Sequence, residues 1–147
     1  MKRITQKSPA HTLHAVVKIV PTYQDCDPAG VVWHGNYFHY FDTARCALLD
    51  QIDYGYRQMA AEGHVWPIID TRVRYMGKAT YDQPLQVSAT LTEWEYRLRM
   101  DFEVLDDSGE CITEAYTVQV AIEIETDELC LGSPDALLKR LRQLGIN

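Results

Sequence analysis

Most of the chain alternates between apolar and polar positions with a period of two, the pattern of half-buried strands. The first such segment is 13–20, and Pro21 should end it because proline cannot donate a ladder hydrogen bond. Four later segments also alternate: 66–76, 84–94, 96–104 and 111–125. After 96–104 the chain runs into Asp-Asp-Ser-Gly, a hairpin turn signal. On the last strand, one apolar face is predicted to hold Ile112, Tyr116, Val118, Val120, Ile122 and Ile124.

One long segment changes to helical spacing, and its apolar residues cover almost every side. The positions that set this period are Tyr37, Phe41, Ala44, Leu48 and Ile52. A helix this apolar is buried on most sides. Asn36 is the predicted N-cap and Gly55 the stop, with a short helical turn following to Gly63. A last helix is predicted with Ser133 as its N-cap and Pro134 as its first residue.

The element order is therefore strand, long buried helix, four strands and a short helix, in one domain over residues 1–147. Each long strand has one apolar face that something must cover, and the apolar helix can provide that cover. We predict an α+β fold in which an antiparallel five-stranded sheet wraps around one long buried helix.

Composition narrows the possible functions. The net charge is −7, so we expect no nucleic-acid partner, since phosphate binding needs a basic face. The apolar stretches are too short for a membrane span, and no signal peptide is recognised. The four cysteines form no Cys-x-x-Cys pair, and the acids and histidines match no metal-ligand motif. We therefore expect a cytoplasmic protein with free thiols and without a metal or other cofactor.

The stretch YQDCDPAGVVWHGNYF, residues 23–38, precedes the long helix and allows two interpretations. Asp27-Pro28-Ala29-Gly30 fits a type I turn, in which the Asp27 side chain bonds to backbone amides. The alternative is a reaction centre, because the start of a helix presents unpaired N–H groups and a positive dipole end. The N–H groups of His34 and Gly35 could then stabilise an oxyanion, with an upstream acid as nucleophile or general base. The residues alone leave both interpretations open.

The longer stretch YQDCDPAGVVWHGNYFHYFDTAR resembles the signature of the 4-hydroxybenzoyl-CoA thioesterase family, including its acyl-CoA thioesterase branch associated with the Tol-Pal cluster. The shared pattern is an acid, small residues, a Val-Val-aromatic run, and His/Tyr-x-Asn-Tyr opening the helix. The element order also agrees over about residues 13–127. The resemblance implies the hotdog fold and hydrolysis of an acyl-CoA thioester to free acid and CoA, without a cofactor.

Roles for individual residues follow from the same resemblance. Asp27 would be the catalytic carboxylate, with Asp25 in a supporting role, and the backbone N–H at His34 would polarise the thioester carbonyl. In the Tol-Pal branch, a Tyr and a His at the positions of Tyr23 and His34 also support catalysis. The substrate-binding residues expected at the helix start are Trp33, Gly35, Asn36 and Tyr37.

The chain departs from the aromatic-acyl branch where that branch carries an arginine pair for the CoA phosphates. Glu95-Tyr96 stands there instead, and Lys78, Arg97 and Arg99 are the predicted substitutes. Family members pair long strands side by side, and their sites lie between subunits. We therefore expect a homodimer or homotetramer that pairs through segment 111–125, with the last helix over the remaining edge.

Two other functions stay open. A hotdog dehydratase would use a histidine and an acid on the helix, and His39 and Asp42 share a helix face. A binding module would hold an acyl thioester in the same pocket without turnover. The acyl group, the choice between CoA and a carrier protein, and the exact role of Asp27 are not fixed by the residues.

Overall fold

Five antiparallel strands form the main sheet in the computed structural model of the protein, which describes residues 12–147. The strands in chain order are β1 (His14–Ile19), β2 (His64–Val65), β3 (Ile68–Tyr75), β4 (Leu85–Glu93), β5 (Leu98–Leu105), β6 (Cys111–Gln119), β7 (Ile122–Glu123) and β8 (Glu128–Leu129). The helices are α1 (Tyr37–Asp50), α2 (Tyr56–Ala61) and α3 (Asp135–Gln143). The main sheet has the order β1-β4-β5-β6-β3, and β2, β7 and β8 form a small separate sheet.

Helix α1 lies against one face of the main sheet and fills the core. Its residues Phe41, Ala44, Leu48 and Leu49 are at most 1% exposed, and alternate residues of β4 and β5 pack under them. This confirms the predicted α+β hotdog architecture, with the sheet wrapped around one long helix. The single-domain prediction for residues 1–147 includes 1–11, which lie outside the described residues.

The free edges of the main sheet are β1 and β3, because β6 is paired with β5 on one side and with β3 on the other. The expectation that segment 111–125 forms an intersubunit edge is therefore wrong. Strand β3 has exposed apolar side chains, among them Ile69 at 60% exposure. It is the edge strand with the more apolar exposed surface, since β1 exposes Val16 between polar residues.

Strand β6 also differs from its predicted length and face. It ends at Gln119, and only Ile122–Glu123 returns to extended pairing, in the small sheet. The residues opposite the buried side chains of β5, and so facing α1, are Thr113, Ala115, Thr117 and Gln119. The sequence prediction chose the face of Ile112 and Val118, which is turned away from α1. Alternation could not separate the two faces, because Ile112 and Val118 are buried as well. Polar residues thus lie under the helix.

The helix starts are only partly as predicted. Asn36 does occupy the N-cap position of α1, but a short 3-10 turn, His34–Asn36, precedes the helix, and the Asn36 side chain makes no capping bond. At α3 the N-cap position belongs to Pro134. The Ser133 hydroxyl donates to the Trp94 carbonyl instead, so its predicted capping role is wrong.

Within residues 12–147, no helix has both the length and the apolar character needed to cross a membrane. The cysteines at positions 26, 46, 111 and 130 form no disulfide within the described residues, and each is half-buried. Among these residues, no cluster of three or more His, Cys, Asp or Glu side chains could hold a metal ion.

Candidate functional site

A tight hairpin between the end of β1 and the start of α1 carries the acids of the candidate site. The Trp33 N–H donates to the Asp25 carbonyl, and the Asp27 N–H donates to the Val31 carbonyl, each over 2.8 Å. The turn closes with the Gly30 N–H on the Asp27 carbonyl at 2.9 Å. Gly30 has φ +79°, a conformation in which other residues are strained. Asp27 therefore lies at the tip of the hairpin.

The Asp27 carboxylate is half-buried and only partly engaged. Its Oδ1 accepts the Ala29 N–H at 2.9 Å, as in an Asx turn. Its Oδ2 accepts no hydrogen bond from any residue between 12 and 147. The turn interpretation is thus correct for one oxygen, while the other remains available for chemistry.

Asp25, the second acid, is an anchor. Its Oδ2 accepts the Thr22 N–H at 3.0 Å and the Tyr40 hydroxyl at 2.9 Å. Its carbonyl accepts the Asn36 side-chain amide at 2.8 Å as well as the Trp33 N–H. Burial, together with the bond to this carboxylate, raises the pKa of Tyr40 well above its usual value, so the phenol remains a donor. Asp25 thereby fixes the hairpin to α1.

The start of α1 presents backbone donors. The Asn36 N–H donates to the Trp33 carbonyl, but the N–H groups of His34 and Gly35 find no acceptor in the described part of the chain. They stand at the positive end of a 14-residue helix. The hairpin leads directly into them, so the candidate carboxylate and the candidate oxyanion donors belong to one short segment.

The Trp33 indole covers Gly35. A Cβ added at Gly35 would lie 2.6 Å from Trp33 Cη2 and closer still to Cζ3, so only glycine fits beneath the ring. The indole is about half exposed and also contacts the His34 ring, with centroids 4.9 Å apart and the ring planes tilted by 53°. Trp33 therefore controls access to the backbone at the helix start.

Tyr75, at the end of edge strand β3, closes the other side of this region. Its hydroxyl donates to the His34 carbonyl at 2.6 Å, and its ring meets the Tyr37 ring edge-on at 5.2 Å. Tyr37 is 3% exposed, and burial raises the pKa of its hydroxyl. Sequence reasoning missed the hydroxyl bonds of Tyr40 and Tyr75, because hydroxyls give no signal within apolar or alternating patterns.

Two further predicted residues lie near the hairpin, in neighbouring loops. Tyr23 is 80% exposed and meets Tyr81 edge-on at 5.9 Å. Lys78 is exposed, and its neighbour Ala79 accepts the Val32 N–H at 2.8 Å. The loop around Lys78 is thus attached to the hairpin.

Arg97 and Arg99 do not lie near the hairpin that carries Asp27. They lie at the start of β5, whereas its other end, at Val104, pairs with Thr113 beside Tyr75. Seven residues of strand separate Arg97 from Val104, about 23 Å at the usual rise. Arg97 is paired with Glu93 at 2.5 Å, and Arg99 with Asp101 at 3.0 Å. Within one chain they are distant from Asp27.

The pair considered for a dehydratase is also separated by its contacts. Asp42 forms an ion pair with Arg45, three residues further along α1. His39 is exposed, and no hydrogen bond joins its ring to Asp42 in the part of the chain that the structure describes.

Comparison with known proteins identifies the family and the fold. The family model described as the thioesterase-like superfamily matches residues 21–141. A candidate acyl-CoA thioesterase of Bacillus subtilis (strain 168), YneP, is 21% identical over 105 residues, which are 71% of this chain and 76% of that protein. The 4-hydroxybenzoyl-CoA thioesterase of Pseudomonas sp. (strain CBS-3) is 31% identical over 80 residues. That alignment covers 49% of this chain and about half of the relative, 53%.

A solved structure also matches. The DHNA-CoA thioesterase of Staphylococcus aureus superposes with a TM-score of 0.80 at 22% identity, covering 90% of this chain and 88% of that one. At this identity the likeness establishes the fold. The family resemblance seen in the hairpin and helix start is confirmed at the level of the superfamily.

Proposed function

Since this chain belongs to the thioesterase-like superfamily, we propose that it hydrolyses an acyl-CoA thioester to a free acid and CoA. One observation carries the proposal. A single short segment bears an Asp27 carboxylate oxygen that has no partner among residues 12–147, and two N–H groups, on His34 and Gly35, that have no acceptor there. Thioester hydrolysis needs one group of each kind, a base or nucleophile and a stabiliser of the oxyanion.

The chemistry proceeds through attack on the thioester carbonyl carbon. Either Asp27 takes a proton from water, whose oxygen attacks, or Asp27 attacks and water cleaves the resulting anhydride. In both cases negative charge develops on the carbonyl oxygen, and the N–H groups of His34 and Gly35 stabilise it. The C–S bond then breaks and the CoA sulfur leaves as a thiolate that takes up a proton. The exposed side chains of His34 and Tyr23 assist this proton movement.

The acyl group binds against the aromatic surface at the helix start. Trp33 supplies that surface, and the buried Tyr37 supports it through its contact with Tyr75. Gly35 permits close approach to the backbone, and Asn36 holds the loop through its bond to the Asp25 carbonyl. The names of the relatives support an acyl-CoA as substrate. Lys78 is the cation best placed for the CoA phosphates, whereas Arg97 and Arg99 could reach them only from a second copy of the chain.

We also propose that the working enzyme is a cytoplasmic homodimer or homotetramer. The support is the free edge of β3, which exposes Ile68 and Ile69 and ends at Tyr75, beside the helix start, with the exposed Met76 directly after it. Pairing of two copies along β3 would cover this apolar edge and bring the partner chain next to the site.

The deciding experiment follows thiol release from a panel of acyl-CoAs. Asp27→Asn keeps the acceptor for the Ala29 N–H but removes the charge, and Asp27→Ala removes both. We expect each variant to lower kcat by about a hundredfold or more, since both mechanisms need an ionised carboxylate. Asp106→Asn is the matched control, because Asp106 makes the same kind of turn bond, to Ser108, in the hairpin between β5 and β6.

Full activity in both Asp27 variants would show that the residue is structural. If the wild type binds acyl-CoA but releases no thiol with any substrate of the panel, the protein is a binding module. For the cation assignment, Lys78→Ala should raise KM for acyl-CoA more than it does for the shorter acyl-pantetheine. An equal rise with both substrates would contradict a phosphate contact.

A further inference from the structure

Arg45 is a fully buried cation in the middle of α1. Its relative exposure is 0%, and its guanidinium lies 5.4 Å from the centre of the Phe102 ring. Nη1 donates to Asp42, whose side chain is 56% exposed, and Nη2 donates to the Thr117 hydroxyl at 2.6 Å. Nε is buried without a partner in residues 12–147. A buried charge with incomplete partners is costly, so stability alone does not explain its presence.

The bond to Thr117 links α1 to the polar side of the sheet. Helix α1 also lies against β1 and β4, where buried side chains such as Ala15, Val87 and Ala89 are apolar, and such contacts have little directional preference. Thr117 lies on β6, the strand that pairs with edge strand β3. Arg45 therefore makes the directional contact between the middle of the helix and the half of the sheet that ends at the site.

The position of Arg45 on the helix relates it to the helix start. Tyr37, Phe41 and Arg45 follow one another at four-residue intervals and so share one face of α1. The Phe41 and Phe102 rings are 5.0 Å apart, and Arg45 covers the same Phe102 ring. Helix α1 is continuous over the roughly 12 Å between Arg45 and Tyr37, and the 3-10 turn that holds Gly35 directly precedes it. A shift at Arg45 is therefore transmitted to the N–H groups at the start.

We infer that Arg45 is a positioning residue: its bond to Thr117 sets the placement of α1 on the sheet and thereby aims the N–H groups of His34 and Gly35. The expected effect on kcat rests on the proposed thioesterase function, whereas the expected effect on the placement of α1 does not. Misplacement of a catalytic group by about 1 Å can cost on the order of a hundredfold in rate. Loss of the bond should therefore act on kcat.

The variants are Arg45→Met and Thr117→Val, with Thr43→Val as the matched control. Among residues 12–147 the Thr43 hydroxyl bonds only to the His39 carbonyl of its own helix, so this control removes a hydroxyl without touching the sheet. We expect Arg45→Met and Thr117→Val to lower kcat roughly tenfold to a hundredfold, with KM changed less than about threefold. Arg45→Met should keep or raise Tm, because apolar replacement of a buried ion pair is often neutral or stabilising. The double variant should be no slower than the single ones.

A second readout does not depend on activity. In the nitrogen-15 labelled protein, the Gly35 amide resonance should move in both test variants and stay in place in Thr43→Val. A folded Arg45→Met protein with wild-type kcat and an unmoved Gly35 resonance overturns the inference, as does a lower Tm with unchanged kcat. If the wild type hydrolyses no acyl-CoA, the proposed function fails, and the Gly35 resonance alone decides the role of Arg45.

Discussion

The Tyr40 hydroxyl donates a 2.9 Å hydrogen bond to Oδ2 of Asp25, fifteen residues earlier in the chain. Tyr40 is 5% exposed and belongs to α1, while Asp25 belongs to the hairpin that carries Asp27 at its tip. The bond therefore joins the two parts of the candidate site, the carboxylate and the helix start. It also gives Asp25, two residues from the proposed catalytic acid, a role that needs no chemistry.

Tyr40→Phe should reveal this role. The change removes one hydroxyl and leaves a half-buried carboxylate with one donor fewer, so the free energy of unfolding should fall by about 1.5 kcal/mol. Urea unfolding measures this, and kcat should fall as the hairpin loosens. Tyr56→Phe is the control, because Tyr56 is 45% exposed and should change stability by less than about 0.5 kcal/mol. Equal stabilities of the two variants would contradict the anchoring role.

The fold was predictable because it depends on long segments whose apolar residues recur with a clear period. The apolar helix over 37–50 and the alternating strands define both the architecture and the core. The face of β6 was not predictable from alternation, since Ile112 and Val118 are buried on one side and Thr113 and Thr117 on the other. Where both faces of a strand are buried, the alternation of apolar and polar residues no longer shows which face points to the core. The prediction that segment 111–125 forms a free edge of the sheet failed as well, because strand order depends on pairing rather than on composition.

The candidate site was predictable only in its backbone-determined part. The Asp-Pro-Ala-Gly turn and the glycine at the helix start have local sequence signals, and both occur where expected. The anchoring bonds of Tyr40 and Tyr75 join residues 15 and 41 positions apart, and no local pattern encodes them. The same holds for Arg45 and Thr117, which are 72 positions apart.

Gly35→Ala tests whether the contact between the indole and the helix start matters. The new methyl group would overlap Trp33, so the indole must move and tryptophan fluorescence should change. We expect a loss of roughly tenfold or more in kcat/KM, since the new methyl group and the moved indole change the position of the backbone N–H groups and the access of substrate to them. Gly132→Ala is the control, because its Cβ would meet the nearest atom, the Glu95 carbonyl oxygen, at an ordinary 3.7 Å. Unchanged fluorescence and kinetics in Gly35→Ala would contradict the prediction.

The proposed assembly through β3 predicts an asymmetry between the two sheet edges. Ile69→Asp places a charge on the exposed apolar edge of β3, and should yield monomers with reduced thioesterase activity. Val16→Asp places the same charge on β1, where Val16 is 54% exposed, and should leave assembly intact. Size-exclusion chromatography with light scattering measures both. A wild-type monomer with full activity would rule out the assembly, and dissociation by Val16→Asp alone would move it to β1.

Alkaline pH should destabilise the protein through its buried tyrosines. Burial is the main cause that raises the pKa values of Tyr37, Tyr40 and Tyr54 above the usual 10.0. Above pH 10 the unfolded chain therefore binds fewer protons than the native one, so stability, fully retained below pH 10, falls as pH rises. Each such tyrosine contributes up to about 1.4 kcal/mol per pH unit.

Urea unfolding at several pH values above 10, followed together with tyrosinate absorbance, measures this dependence. Absorbance should rise in two stages, exposed phenols first and the buried ones with unfolding. Tyr54→Phe removes one fully buried phenol, so the fall in stability with pH should be shallower by the contribution of one proton, whatever the variant's stability at neutral pH. If all tyrosines ionise in a single absorbance stage while the protein is still folded, burial of these hydroxyls is not the cause of the loss of stability.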